Sequence, residues 1–330
     1  MMYEFANALA RRGHEVHFVH GPKWPTRVER VEDLPFCFHE GVRHHIVDAL
    51  DDPSLPDGDV VFTPAPARLG QQVVLVQGFR LIGAEWDRDS FRALAPKVCV
   101  ASWLVDVGHW FGVPGEQLVH VPMGLDHELF AVRTPLHERS IDVAMLYHPS
   151  REKGWDVALP ALRELVRRRP GLRAVVFSLA GPPPEALPDG VRVVLDLDQR
   201  RLADEVYNAA RVVVQASHHE GFGLTAVEAM ACGAALVTTD CGGSRDYALP
   251  GETAFVVAAG DSLGLAERSV DLLVDDARRV ALAAAGAHYV RRFNWDRSGE
   301  ALEAFLDRYL ADPASFQRPP GEDRSEEYTL

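Results

Sequence analysis

The chain has 330 residues and a formal net charge of −14. That acidity argues against a general nucleic-acid binder, which carries a basic surface. A local pocket can still oppose the global charge and hold an anion. At roughly 150 residues per domain the length favours two domains. No apolar run approaches the ~18 residues of a membrane span, and no signal peptide is evident. The four cysteines, Cys37, Cys99, Cys232 and Cys241, make no Cys-x-x-Cys pair and join no histidine cluster, so no metal site is expected. Cys232 and Cys241 stand in apolar surroundings and are expected as small buried hydrophobes. A reducing cytoplasm is the simplest setting.

In chain order, residues 1–12 read as an amphipathic helix, with Met2, Phe5, Ala6 and Leu9 on one face and Gly13 ending it. A strand, EVHFVH, follows. An α/β domain usually places a strand before such a helix. The expectation is therefore a first domain lacking its first strand, through truncation or an internal methionine start. Further strands are predicted at Asp59–Phe62, Val73–Val76, Lys97–Ala101 and Gln117–Val121, with a helix at Ser102–Trp110. Residues 131–140 are polar, contain a proline and read as a linker. A cleaner alternation follows. Its strands are predicted at Asp142–Tyr147, Arg173–Leu179, Val191–Leu195, Val212–Gln215, Ala235–Thr239 and Ala254–Val257. Its helices are predicted at Trp155–Arg169, Arg201–Ala210, Thr225–Ala231 and Leu263–Val274. This alternation implies a doubly wound parallel sheet. Residues 276–310 read as helical. The expected division is 1–135, 136–295, a closing helix over 296–312 and a disordered acidic tail over 313–330.

Ligands of open α/β sheets bind beyond the carboxyl ends of the strands. Behind Val212–Gln215 the sequence runs ASHHEGFGLTAVEAMACG. Gly221, Phe222 and Gly223 turn the chain, and Leu224 and Thr225 open a helix. Free N–H groups and a partial positive charge at a helix amino end favour an anion, most often phosphate. Glu228 lies one turn inside the helix. Its carboxylate can accept two hydroxyls at once, as a ribose diol would offer. Glu220 lies before the turn, where it would meet sugar hydroxyls. The spacing follows the layout of a nucleotide-sugar.

EGFGLTAVEAMACGAALVTTDCGG closely resembles the glutamate-x7-glutamate region of glycosyltransferase family 4. CGGSRDY stands where that family has a Gly-Gly loop and a glutamate, with Asp246 in the glutamate's place. ANALARRGHEV and VPMGLDHELF extend a weaker resemblance over most of the chain. The resemblance implies an α/β protein of the GT-B fold, two Rossmann-like doubly wound domains facing across a cleft. It implies a retaining, metal-independent transferase with no cofactor, using a nucleotide-diphosphate sugar and a sugar, glycolipid or small-molecule acceptor. A cytoplasmic enzyme is expected, with peripheral contact at the inner membrane face left open. The oligomeric state has no signature in the sequence. A catalytically silent nucleotide-sugar-binding module and a GT-B-fold epimerase are the alternatives.

In YHPSREKGWD the family shows Gly-Arg and then Lys-Gly, which hold the diphosphate. Lys153 and Gly154 match. His148 stands in the arginine position, open between a phosphate contact and a structural histidine, and Arg151 lies three residues on. Lys153, Arg151 and the helix end would stabilise the leaving diphosphate. DLD at 196–198 falls where the family places its base-contacting loop, so Leu197 is a base contact. VLVQGFR puts Gln77 where many relatives have a histidine near the donor sugar; an ordinary polar strand end is the other reading. This form resembles a subgroup that includes rhamnosyltransferases and hints at a deoxysugar donor. The catalytic candidates are thus Glu220, Lys153 and Gln77. The donor-binding candidates are His148, Arg151, Lys153, Leu197, Glu220, Gly221, Phe222, Gly223, Leu224, Thr225 and Glu228.

Overall fold

The computed structural model describes residues 2–21, 28–34, 36–49, 52–64 and 71–328. Lys23 and Arg27, basic residues too few with Arg11 and Arg12 to imply membrane contact from the sequence, lie outside them. In the first half, α1 (Met2–Arg11) precedes β1 (Val16–His20), β2 (Val42–Ile46), β3 (Val61–Thr63) and β4 (Gln72–Val76). Then come α2 (Ala84–Arg92), β5 (Lys97–Cys99), α3 (Ser102–Trp110) and β6 (Leu118–His120). β1 pairs in parallel with β2, apart from the parallel sheet β3-β4-β5-β6. β4 is buried along its whole length, as expected for an apolar strand covered on both faces.

The second half contains β7 (Ile141–Leu146), α4 (Trp155–Arg168), β8 (Ala174–Phe177) and β9 (Arg192–Val194). A short α5 (Gln199–Arg201) runs into a π-helical stretch, Leu202–Tyr207. There follow β10 (Ala210–Gln215), α6 (Leu224–Ala231), β11 (Ala235–Thr239) and β12 (Ala254–Val257). The six strands run parallel in the order β12-β11-β10-β7-β8-β9. From β7 the chain moves outward to β8 and β9, then returns to the other side of β7 as β10. The order therefore reverses between β7 and β10, and a crevice opens at such a switch point. Helices α7 (Ser262–Val274), α8 (Asp276–Tyr289) and α9 (Trp295–Ala311) complete the chain's helical end.

The linker is pinned rather than loose. Arg139 is buried and donates to the carbonyls of Thr134, Tyr207, Ala210 and Cys232, which ties the segment to the second half. α9 crosses onto α1. Arg12 Nε and His14 Nε2 reach Glu303 at 2.7 and 2.9 Å, and the Trp295 ring lies edge-on to Phe5. Ser298 Oγ also donates to Pro122 O at 2.6 Å.

Three expectations need correction. The helix expected over 201–210 is π-helical in its middle and gives way to β10 at Ala210. β2 and α2 are additional elements, the first concealed by its histidines (VRHHI). The tail expected to be disordered is laid against the first half as far as Tyr328. It contributes two 3-10 turns, and Phe316 and Tyr328 are buried. Acidic composition was a poor guide there because two aromatic residues supply the burial. Among the described residues, no helix is long and apolar enough to cross a membrane. Cys99, Cys232 and Cys241 are buried and Cys37 is exposed.

Candidate functional site

The loops after β7 and β10 carry the sequence candidates, and the switch point places them side by side. After β7, a 3-10 turn over Arg151–Lys153 ends at Gly154, which also begins α4. Gly154 has φ +66°, and a Cβ there would run into the Ala216 carbonyl. The lysine is therefore followed by glycine because the turn must be left-handed and must lie against the chain leaving β10. That approach delivers Lys153 to Glu220. Its Nζ donates to both carboxylate oxygens, at 2.8 and 2.9 Å.

Glu220 is buried and fully engaged. Its Oε1 also accepts from Ser217 Oγ at 2.8 Å and from Gln215 Nε2 at 3.3 Å. Its backbone bridges to Gly242. A buried carboxylate survives only with such partners. Gly221 follows with its α-carbon facing the first half, and a Cβ there would strike the Gln77 carbonyl. Trp103 Nε1 donates to Gly221 O at 2.8 Å. Gln77, at the carboxyl end of β4, thus meets the glycine turn directly across the cleft.

Gly223 caps α6 with no side-chain acceptor. The first intrahelical donors are Ala226 and Val227, both to Gly223 O. The N–H groups of Leu224 and Thr225 are thus free of helical partners, as at any helix start. One turn on, Glu228 accepts from the Tyr207 hydroxyl at 3.0 Å. The residue keeps some exposure, but its carboxyl group is enclosed. Burial pushes its pKa up to about 7, opposed by the Tyr207 hydrogen bond and by Lys153. Tyr207 ends the π-helical stretch and is itself fully buried. π-turns recur at functional sites because they re-aim side chains.

The remaining candidates divide. His148 is half-buried, and its Nδ1 accepts from Ser150 N at 3.1 Å. Burial and, after it, Lys153 hold its pKa below the usual histidine range, against the pull of Glu220. Arg151 is exposed and faces a cavity of about 490 Å³ that it shares with Tyr147, His148, Ser150, Trp155 and Glu185. Leu197 is buried in the apolar core that also holds Tyr207 and Phe177. Asp196 beside it takes a left-handed φ of 54°. The Phe222 ring packs against Tyr247 and Phe293, so only its backbone can face a ligand. The side chains of Leu197 and Phe222 are packed in the core, which leaves their backbone to meet a ligand.

Residues outside the sequence candidates also build the site. Asp246 accepts from Ser102 N at 3.0 Å and from Ser102 Oγ, and His120 Nε2 lies 3.4 Å away. It thus caps α3 of the first half from a loop of the second. The sequence hid this, because Ser102 is itself a good cap residue type, whereas in the structure the helix already begins at Ser102 and Ala101 supplies no side-chain cap. His219 leaves its Nδ1 buried and unpartnered, and its Nε2 lies 4.0 Å from Glu152. Arg80 has φ 61° and donates its backbone N–H to the buried Asp87 at 2.9 Å. In the sequence Arg80 ends VLVQGFR as a candidate on the acceptor side, whereas His219 lies within ASHHEGFG with no role expected of it.

Two parallel Rossmann-like sheets facing across a cleft, with anion-competent loops at a switch point, define the GT-B class. Solved structures share this arrangement. The sucrose-phosphate synthase from Thermosynechococcus elongatus superposes with a TM-score of 0.70 at 18% identity, covering 93% of this chain and 92% of that one. A glycosyltransferase from Rickettsia africae does so with a TM-score of 0.72 at 15% identity, covering 94% of each. Residues 141–275 match the family described as Glycosyl transferases group 1, and the chain belongs to that family. It is 36% identical over 240 residues to a D-inositol 3-phosphate glycosyltransferase of Xylanimonas cellulosilytica, covering 65% of this chain and 55% of that relative. The chain thus spans little more than half the length of that relative.

Proposed function

We propose that the protein is a retaining glycosyltransferase that moves a sugar from a nucleotide-diphosphate sugar to an acceptor hydroxyl. One observation carries this reading. At the switch point between β7 and β10, Lys153 and the free amino end of α6 flank Glu220, and Glu228 stands one turn beyond. That is a cationic and N–H-lined seat for a diphosphate between two carboxylates that can accept hydroxyls.

In this reading Glu228 takes the ribose diol, while Leu224 and Thr225 N–H groups and Lys153 take the diphosphate. Arg151 and His148 contribute from the other side of the turn. The segment around Leu197 borders the base through its backbone. Glu220 positions the sugar, and Gln77 meets it from the first half. The acceptor oxygen attacks the anomeric carbon on the face from which the diphosphate departs. The bond from that carbon to the phosphate oxygen breaks, and the hydroxyl proton passes to the leaving phosphate. Lys153, Arg151 and the helix end neutralise the developing charge, so no metal is required of the reaction. Closure of the halves, with Gly221 against Gln77, excludes water from the sugar.

The acceptor lies on the first-half side. The relatives' name includes a phosphorylated polyol, and Arg80 supplies a cation at that rim. D-inositol 3-phosphate therefore belongs in the acceptor panel. The decisive experiment is a melting series with UDP, GDP, ADP and dTDP and their glucose, mannose and rhamnose conjugates, with EDTA and then with Mg²⁺. Native-state binding raises the melting temperature. A base-selective rise in EDTA is expected, followed by release of that nucleotide on adding acceptor. Binding without any turnover would replace the enzyme by a silent binding module, and no shift at all would remove the nucleotide reading.

A further inference from the structure

The carboxyl-terminal segment after α9 is bound along the first half and ends at the cleft. Gln117, fully buried, donates Nε2 to Arg318 O at 2.8 Å, and Arg318 pairs with Glu116 at 2.9 Å. Gly321 N donates to Gly112 O at 2.8 Å and Arg324 N to Trp110 O at 2.7 Å. Arg92 reaches back to Gly321 O at 3.0 Å. Gly112 has φ +74°, and a Cβ there would collide with the Glu322 carbonyl and the Gly321 backbone. A site that only glycine can occupy is thus used to seat the segment.

The segment delivers Tyr328 to the rim. Its ring is buried against Phe79, Trp103 and Trp110, with centroids 6.1, 6.5 and 6.3 Å away. Its carbonyl accepts from Arg80 Nη2 at 3.1 Å. Arg80 is held by three groups at once: Asp87 on its backbone N–H, the Phe79 ring 5.0 Å from its guanidinium carbon, and the Tyr328 carbonyl. A left-handed arginine persists only when its surroundings over-determine it.

We propose that residues 318–328 form a strap that ties the two halves of the cleft together through Tyr328 on Trp103, and locks Arg80 at the first-half rim. The tie stands apart from the nucleotide reading; its bearing on transfer, by fixing Arg80 beside the acceptor, rests on that reading. Trp103 shows why the tie matters locally. One face of its indole packs on Tyr328 while its N–H holds Gly221 of the second half.

The test uses the full chain, a chain ended after Gln317, and Tyr328→Ala. Hydrogen exchange and trypsin cleavage after Arg80 are measured without ligand. In the shortened chain, exchange over 102–111 and 219–223 is expected to rise about tenfold, and cleavage after Arg80 likewise. Tyr328→Ala should leave 318–324 protected yet raise exchange over 102–111 and 219–223. If the shortened chain fails to fold, Tyr328→Ala decides. Exchange over 219–223 unchanged within twofold in Tyr328→Ala would overturn the tie. Unchanged cleavage in a folded shortened chain would overturn the lock on Arg80. A UDP melting shift present in the full chain is expected in both variants, since its groups lie on the second half. Its absence from the full chain would sink the nucleotide reading alone and leave the exchange results to judge the strap.

Discussion

Glu228 combines two demands that conflict. To accept ribose hydroxyls it must be ionised, yet burial beside Tyr207 raises its pKa to about 7. Between the ordinary carboxyl range and about pH 7 the unfolded chain releases a proton that the folded chain retains. Stability therefore falls as pH rises through that window, and above it the full cost of ionisation remains. Glu228→Gln should raise the melting temperature of the nucleotide-free protein at pH 8 while weakening nucleotide-sugar binding at least tenfold. Affinity of the native protein should rise from pH 6 to pH 8, and the glutamine variant should show a flat profile. A nucleotide-sugar suits this titration better than a free nucleotide, whose terminal phosphate itself titrates near 6. Lys153 poses the opposite case. It neutralises a buried carboxylate in the empty cleft, so Lys153→Met should both abolish the nucleotide shift and lower stability. Leaving Glu220 with only Ser217 and Gln215 costs about 1–3 kcal/mol, readable by denaturant titration. Lys153 and Glu228 were legible because a glycine turn before a helix has few other uses. Tyr207 was not, since nothing local to it signals a contact 21 residues away with Glu228.

At the level of elements, β7 and β10 do the placing. Their apolar runs made both strands and the doubly wound class readable, because buried parallel strands lack any polar alternation. The turn after β7 is fixed by the same contact that fixes Lys153. Gly154→Ala should destabilise the protein by about 2 kcal/mol or more, from the left-handed backbone and the Ala216 carbonyl together. It should also weaken nucleotide binding, since the turn must shift. An alanine variant with native melting and native binding would show that the loop has slack. β2 escaped because its sequence VRHHI is half polar and pairs only with β1. The helical period over 201–210 was real, but the backbone widens to a π-helix there, and period alone does not separate the two. The tail misled for another reason. Its acidic, proline-rich composition is that of a disordered segment, but the contacts that hold it are with residues more than 200 positions away.

For the whole molecule, the cleft is a property of the contact between halves, which no single-residue pattern contains. Asp246 makes that contact by capping α3 across it, and α3 in turn carries Trp103 to Gly221. A helix cap supplied from another sheet makes the amino end of α3 sensitive to the position of the second half. Asp246→Ala removes the acceptor for Ser102 N–H and Oγ and the neighbour of His120. Loss of a cap costs about 1 kcal/mol, and here it falls on closure, because the cap exists only when the halves meet. The donor groups Lys153, Glu228 and the α6 amino end are all on the second half and keep their places. Donor affinity of Asp246→Ala should therefore stay within about twofold of the native value, whereas transfer should fall about tenfold, since ~1.4 kcal/mol corresponds to a factor of ten. Hydrolysis of the nucleotide-sugar should rise relative to transfer as water enters. Asp246→Asn, which keeps one carbonyl acceptor for the Ser102 N–H, should recover part of the loss. Titration of the nucleotide-sugar alongside a transfer assay separates the two effects. Donor affinity and transfer falling together would mean that the second half forms a competent donor seat only when the first half is against it.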